Sequence, residues 1–378
     1  MKKIFFLIFS TSLILSCTSA KKVEISVKNP TDMNRANEMV EIPWNQIKEK
    51  LQLKENRKLV VLNSSSEQIP YQIASGADTA DSLLIFQANV PANGTSTYFV
   101  KTGTPLQFGP KAYGRLVPER KDDFAWENDK IAFRVYGPAL QATGEISNGI
   151  DLWAKRTDKL VIDRWYADDL AGKQSYHHDN GEGLDMYKVG PTLGAGAASP
   201  FVNGKIWYCK NFTSYEVLDN GPLRIKVKLH YAPYMADKTE VTETRIISLD
   251  AGNQLNKMCV KYQYAGSPLT IAAGIVTHDL KMEQTYTADD HTCFAHAEPN
   301  DTVNGVIYEG VTSAQPFSEI ILKEGHILGL QQVPSGADYV YYTGGGWSKA
   351  GFSNFDDWKT YLQEFNKKIR NPLTVTLK

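Results

Sequence analysis

The stretch "LRIKVKLHY", residues 223–231, alternates without a break. Leu223, Ile225, Val227, Leu229 and Tyr231 fall on one side, and Arg224, Lys226, Lys228 and His230 on the other. Successive side chains of an extended chain point to opposite faces, so this period of two predicts a half-buried antiparallel strand. Outward from it, "GIDLWAKR", "VTETRIISLDAG", "QLNKMCVKYQYAG", "LTIAAGIVTHDL" and "YVYYTGGGW" are further β-rich runs, separated by turn sequences such as "DNG", "DAGN" and "AGSP". Towards the start, "VEISVKN", "EMVEIPW", "KLVVLN", "SLLIFQANV" and "TSTYFVKTG" repeat the pattern, interrupted by the helically spaced "WNQIKEKLQL" (44–53). Near the end, Phe355, Trp358, Tyr361, Leu362, Phe365 and Ile369 follow helical spacing, with Ser353 or Asn354 as N-cap and "NP" as the stop. No 40-residue repeat marks propeller blades. The expected fold is all-β: a large antiparallel β-sandwich over 106–378, a small N-terminal β-sandwich over 22–105 and a C-terminal helix.

The ends and the composition bound the setting. "MKK" followed by "IFFLIFSTSLIL" and "ILSC" has the form of a secretory leader (1–16), with Ser16 and Cys17 resembling a lipobox. Cys17 is therefore the expected lipidation site, 17–21 a linker, and the periplasmic face of the outer membrane the expected location. The 41 Lys and Arg balance 42 Asp and Glu, and losing Lys2 and Lys3 leaves the body slightly acidic. That balance argues against a nucleic-acid partner. Cys209, Cys259 and Cys293 stand apart with no CxxC, so they read as buried thiols rather than a disulfide framework or zinc ribbon. The composition leaves the oligomeric state open.

Three segments carry more polar groups than packing requires: "ERKDDFAWENDK" (119–130), the long glycine-rich 163–200 and "GIVTHDL" (274–280). The second contains "SYHHDNGEGLDMYKVG" (175–190), a loop rich in titratable groups that reads as an ordered active-site wall. Within it Asp179, Asn180, Glu182 and Asp185 are oxygen donors of the kind calcium takes, but without EF-hand spacing, and "HHDNGE" is not a zinc HExxH. No cofactor and no metal is expected.

The blocks "NPTDMNRANEMVEIPW", "ERKDDFAWENDKIAFRVYGPAL", "GIDLWAKR…LVIDRWY" and "YHHDNGEGLDMYKVGPTLGAGAASPF" resemble, in that order, a family of bacterial exported proteins catalogued as a domain of unknown function. The resemblance implies a galactose-mutarotase-like supersandwich related to carbohydrate-active lyases. It also implies a place among enzymes that degrade uronate-containing polysaccharides such as ulvan and pectin. The ulvan-related activity in that family is an oligosaccharide dehydratase, which leaves a 4,5-unsaturated uronyl end.

Such an elimination needs a base for the C5 proton, an acid for the leaving oxygen and a cation or hydrogen bonds for the carboxylate. His178 is the expected base, with His177 its competitor. Tyr187 is the expected acid, with Tyr176 or Tyr166 as alternatives. Arg164 and Arg120 offer planar forks for the carboxylate, with Lys188 in reserve. Glu182 or Asp185 would orient the imidazole, and Trp165 and Trp126 would stack under the sugar. His278, at the end of an apolar strand, is a further substrate-facing candidate. The competing readings are a polysaccharide lyase or glycoside hydrolase, with Glu127, Asp123, Glu182 and Asp185 as carboxylates, and a non-catalytic glycan-binding protein.

Overall fold

The computed structural model describes residues 21–53, 57–76, 81–279 and 281–378; the leader and Cys17 readings lie outside them. No helix among the described residues is long and apolar enough to cross a membrane.

The N-terminal part is a sandwich of a five-stranded and a three-stranded antiparallel sheet. Val23, Ile25 and Val27 of Lys22–Lys28 meet Val40 and Ile42 of Arg35–Pro43 and Leu84 and Phe86 of Ser82–Val90. The helix Trp44–Leu51 adds Ile47 and Leu51 to that core. The last strand, Thr374–Leu377, pairs with Lys22–Lys28, placing Leu377 opposite Ile25. The chain's end therefore closes the N-terminal sheet instead of joining the main part to which the 106–378 boundary assigned it.

The main part has two layers. A nine-stranded antiparallel sheet, with Arg224–His230 one strand in from its edge, faces two five-stranded sheets. One of these is built around Asp123–Asn128, Ile131–Val135 and Asp151–Lys155, the other around Ala195–Val202, Leu269–Val276 and His326–Val333. They join where the Ile150 amide donates to the Leu193 carbonyl (3.3 Å) and the Ala195 amide to the Ile150 carbonyl (2.9 Å). Glycine makes that seam possible: at Gly194 (φ +59°) a Cβ would lie 2.3 Å from the Ile150 oxygen, and at Gly196 one would lie 1.7 Å from Thr343 Oγ1. The glycine-rich "LGAGAASP" thus contributes to a strand, where the sequence reads as loop.

All five apolar residues of 223–231 are buried, as the alternation predicts. The first half of its polar face is covered too, because the N-terminal sandwich lies on Arg224 and Lys226, while Lys228 and His230 stay partly exposed. Arg224 pairs with Asp250 (2.8 Å) and with Glu41 (2.6 Å), and Lys226 Nζ donates to the carbonyls of Ser75 (2.6 Å) and Gly76 (3.0 Å).

Helix Phe355–Arg370 begins at Asn354, whose side chain accepts from the Asp357 amide (3.0 Å). Trp358, Leu362 and Phe365 pack it on the nine-stranded sheet, with Leu362 filling the space that Gly310 leaves. A second helix, Ile162–Leu170, stands where the sequence reads as irregular. It has no local side-chain cap. Its first amides, of Val161 and Ile162, are instead bonded by Glu127 (2.7 and 2.8 Å), itself held by Lys155 (2.6 Å). A cap supplied from 34 residues upstream leaves no signature beside the helix.

Candidate active site

Helix Ile162–Leu170 and the segment 175–190 lie over the sheet of Asp123–Asn128, Ile131–Val135 and Asp151–Lys155, and beneath them runs a seam of buried polar groups. At one end is Arg134, the only charged side chain in "IAFRV". It donates to Asp151 (2.8 Å), Asp185 (2.9 Å) and the Tyr176 hydroxyl (3.4 Å), and Asp123 lies 3.9 Å away. Burial and the neighbouring Asp151 charge hold the Asp185 carboxyl well above the usual carboxylate range despite its ion pair. Tyr136 donates to Asp151 (3.3 Å) and leads the seam onward.

Asp123 has one carboxylate oxygen without a hydrogen-bond partner, and burial pushes its pKa up to about 7. A raised carboxyl contributes stability below its unfolded value, and that contribution is lost as the pH rises through its folded value. Asp123→Asn is therefore expected to be the more stable protein above pH 7, by roughly 2–4 kcal/mol, and to lose its advantage towards pH 4. Urea unfolding of both proteins across that range checks it.

At the other end stand Tyr187, His278, Glu298, His296 and Glu309. The Tyr187 ring meets the His278 ring edge-on at 5.9 Å, and its buried hydroxyl has no hydrogen-bond partner among the described residues. Burial, with Glu309 and Glu298 nearby, keeps that hydroxyl protonated far above the ordinary tyrosine value. His278 Nδ1 contacts both oxygens of Glu298, at 2.9 and 3.0 Å, and the ring also bonds the Lys188 backbone. The Glu298 hydrogen bond raises the His278 pKa against the opposing effect of burial. His278 is one-third exposed and forms the mouth of this cluster. Behind it, His296 Nε2 lies 3.9 Å from Glu298, and burial lowers its pKa. Glu309 is fully buried, and burial together with Glu298 beside it raises its carboxyl well above the usual range.

The segment 175–190 therefore does two different jobs. Tyr176, Asp185, Tyr187 and the Lys188 backbone face the seam, and the Asp185 amide ties back to the Tyr176 carbonyl at 2.8 Å. His177 is exposed, its Nδ1 3.0 Å from the Asp185 carbonyl. His178 points away, lining a pocket of about 300 Å³ with Arg164, Asp168, Gln174 and Glu182. Arg164 is spent on Glu182, and Arg120 lies over the Tyr176 ring (5.4 Å) and 4.0 Å from Asp169. Neither guanidinium is brought to Tyr187.

The aromatic assignments change as well. Trp126 is in the core, stacked on Phe133 at 5.6 Å and donating its indole N–H to Asn256 (2.7 Å), so it offers no face to a sugar. Trp165 stacks on Trp153 (5.9 Å), and Tyr166 is fully buried. Of the oxygen donors weighed for calcium, Asp179 pairs with Arg156, Glu182 with Arg164 and Asp185 with Arg134, which aims them in different directions. Among the described residues no group of His, Cys, Asp or Glu is placed to hold a metal. Cys209 and Cys293 are buried free thiols and Cys259 is half-buried.

Sequence reading missed Arg134, Asp151, Glu298, His296 and Glu309. The available signal was a charged or imidazole side chain inside an otherwise apolar strand, as in "CFAHA" and "IYEGVT".

The fold is an all-β sandwich. Two solved structures share it: an alpha-mannosidase from Enterococcus faecalis V583 (TM-score 0.55) and a protein of glycosyl hydrolase family 38 from Enterococcus faecalis (TM-score 0.54). Each is 9% identical over 95% of this chain, and the chain spans about half the length of either, 46% and 47%. The chain belongs to the family described as "Domain of unknown function (DUF4861)", whose pattern matches residues 27–375. It is 30% identical, over the full length of both chains, to "Uncharacterized protein P7" of Formosa agariphila.

Proposed function

We propose that this chain removes water from the non-reducing-end uronic acid of an oligosaccharide by β-elimination, leaving a 4,5-unsaturated uronyl end. The observation that carries the reading is the Tyr187 hydroxyl, held protonated by burial and unpartnered among the described residues, beside a histidine oriented by a carboxylate. Glu298 accepts from Nδ1 of His278, so in the neutral ring the opposite nitrogen carries no proton and takes the one from C5. The C5 electron pair forms the C4–C5 double bond as the C4–O bond breaks, and Tyr187 gives its proton to the departing hydroxyl. The His278 proton then returns to the Tyr187 oxygen, so water is released with no net change of protonation. Lys188, exposed beside Tyr187, takes over the carboxylate-neutralising role expected of Arg164 and Arg120. The hydrolytic alternative fares worse. Glu298 and Glu309 adjoin each other rather than flanking a sugar by the roughly 5–10 Å that glycoside hydrolysis uses. Lipidation at Cys17 remains part of the same proposal, holding the enzyme in the envelope where exported oligosaccharides arrive.

A mass and ultraviolet screen against ulvan- and pectin-derived oligosaccharides with saturated uronic-acid ends tests the reaction. Loss of one water at unchanged chain length, with rising absorbance of the conjugated end, is the expected result. Shortened chains would indicate a lyase or hydrolase, and unchanged masses a binding protein.

The Glu298 contact makes a separate pH prediction. Its hydrogen bond raises the His278 pKa, so the pair's stability contribution is full below the ordinary histidine value and is lost as the pH rises through the raised one. As base, His278 works only above that value. Glu298→Gln is expected to move the acidic limb of the pH–rate profile to lower pH and to slow turnover about 10²-fold.

A further inference from the structure

A cavity of about 320 Å³ lies away from this cluster, where the N-terminal sandwich, the nine-stranded sheet and the C-terminal helix meet. That is the lower end of the ~300–1,000 Å³ range of small-molecule sites, which favour junctions between domains. Four cations line it, Arg35, Arg224, Lys257 and Lys368, against three carboxylates, Glu38, Glu41 and Asp250. The carboxylates are already committed. Glu41 and Asp250 hold Arg224 at 2.6 and 2.8 Å, and Glu38 holds Arg35 at 2.9 Å. The lining carries one net positive charge, and the cations without a close carboxylate of their own are two lysines. Lys257 has no carboxylate within 4.0 Å among the described residues, and Lys368 only touches Glu38 at 3.9 Å. Arg35, with its side chain 1% exposed, keeps a buried Nε with no hydrogen-bond partner. The Tyr342 and Phe365 rings, packed edge-to-face at 5.2 Å, and the aliphatic Val40 and Leu373 complete the lining.

We infer that this junction is a second, non-catalytic carbohydrate site that takes one acidic sugar residue. Its carboxylate would meet Lys257 and Lys368, and its apolar ring face would meet Tyr342 and Phe365. An anion alone would need no apolar wall, and a neutral sugar no uncommitted cations. The choice of a uronate rests on the proposed substrate, but the site itself does not involve Tyr187 or His278. It would hold a glycan while the other cluster reacts with its end, raising the local concentration of that end.

Calorimetry on full-length Tyr187→Phe, which removes turnover from the measurement, tests the inference with glucuronate, glucose and inorganic sulfate as probes. Two glucuronate equivalents are expected. Lys257→Met, an exposed substitution that leaves packing intact, should weaken one of them at least tenfold and leave the other unchanged. A single equivalent that Lys257→Met abolishes would keep this site and remove the proposed catalytic one. Glucuronate binding that is indifferent to Lys257→Met and to Lys368→Met would overturn the inference. So would glucose or sulfate binding at the Lys257-dependent site as tightly as glucuronate.

Discussion

Tyr187→Phe is expected to fold as the wild type does and to lose about 10²–10⁴-fold in turnover, the range a positioned proton donor supplies. The two halves of that expectation have one cause. The hydroxyl is buried and makes no hydrogen bond, so removing it breaks no contact and relieves an unsatisfied polar group. Thermal unfolding should therefore be unchanged or slightly improved. The ring remains to pack against His278 and the surrounding apolar side chains. A hydroxyl kept only for structure would show the opposite pattern, lost stability with retained turnover. Melting curves and initial rates on one preparation separate the two.

Arg134→Leu should have the largest effect on stability, about 3–5 kcal/mol. One guanidinium serves Asp151 and Asp185 and lies near Asp123, all in a site with almost no solvent. Without it the three carboxyls can be accommodated only by taking up protons. The sign with pH follows. Asp123 and Asp185, already raised by burial, would be raised further without the guanidinium, so the loss is smallest in acid and grows as the pH rises. Urea unfolding at pH 5 and pH 8 should show the gap widening at the higher pH. Because Asp185 and Tyr176 anchor the segment that presents Tyr187, turnover should fall as well.

Much of the fold was legible in the sequence because it rests on local patterns. The alternation of 223–231, the strands of 22–103 and the capped helix of Phe355–Arg370 each carry their signal in consecutive residues. Helix Ile162–Leu170 was not legible, since its cap comes from Glu127. The strand Ala195–Val202 was hidden for a similar reason: its glycines answer to the backbone of Ile150 and the side chain of Thr343, both distant in sequence. The closing strand finds its partner at the opposite end of the chain.

The candidate site divides the same way. Density of titratable groups pointed to 175–190, and that segment does supply Tyr176, Asp185 and Tyr187 to the seam. Density could not say which side chains turn inward. His178 and Arg164 turn out to an ion-paired surface pocket, while the groups around Tyr187 and His278 arrive more than a hundred residues after that segment begins, His296 and Glu309 on strands and Glu298 just past the end of one. Those strands look like ordinary core runs except for one polar residue each.

The proposed elimination belongs to the Tyr187–His278–Glu298 cluster and not to the exposed histidine of the loop. One assay tests it: turnover of a uronate-ended oligosaccharide by His278→Gln and His178→Ala beside the wild type. His278→Gln should lose at least about 10²-fold while His178→Ala stays within about threefold. The reverse order, with His178→Ala inactive and His278→Gln near wild type, would move the chemistry to the loop pocket and away from Tyr187.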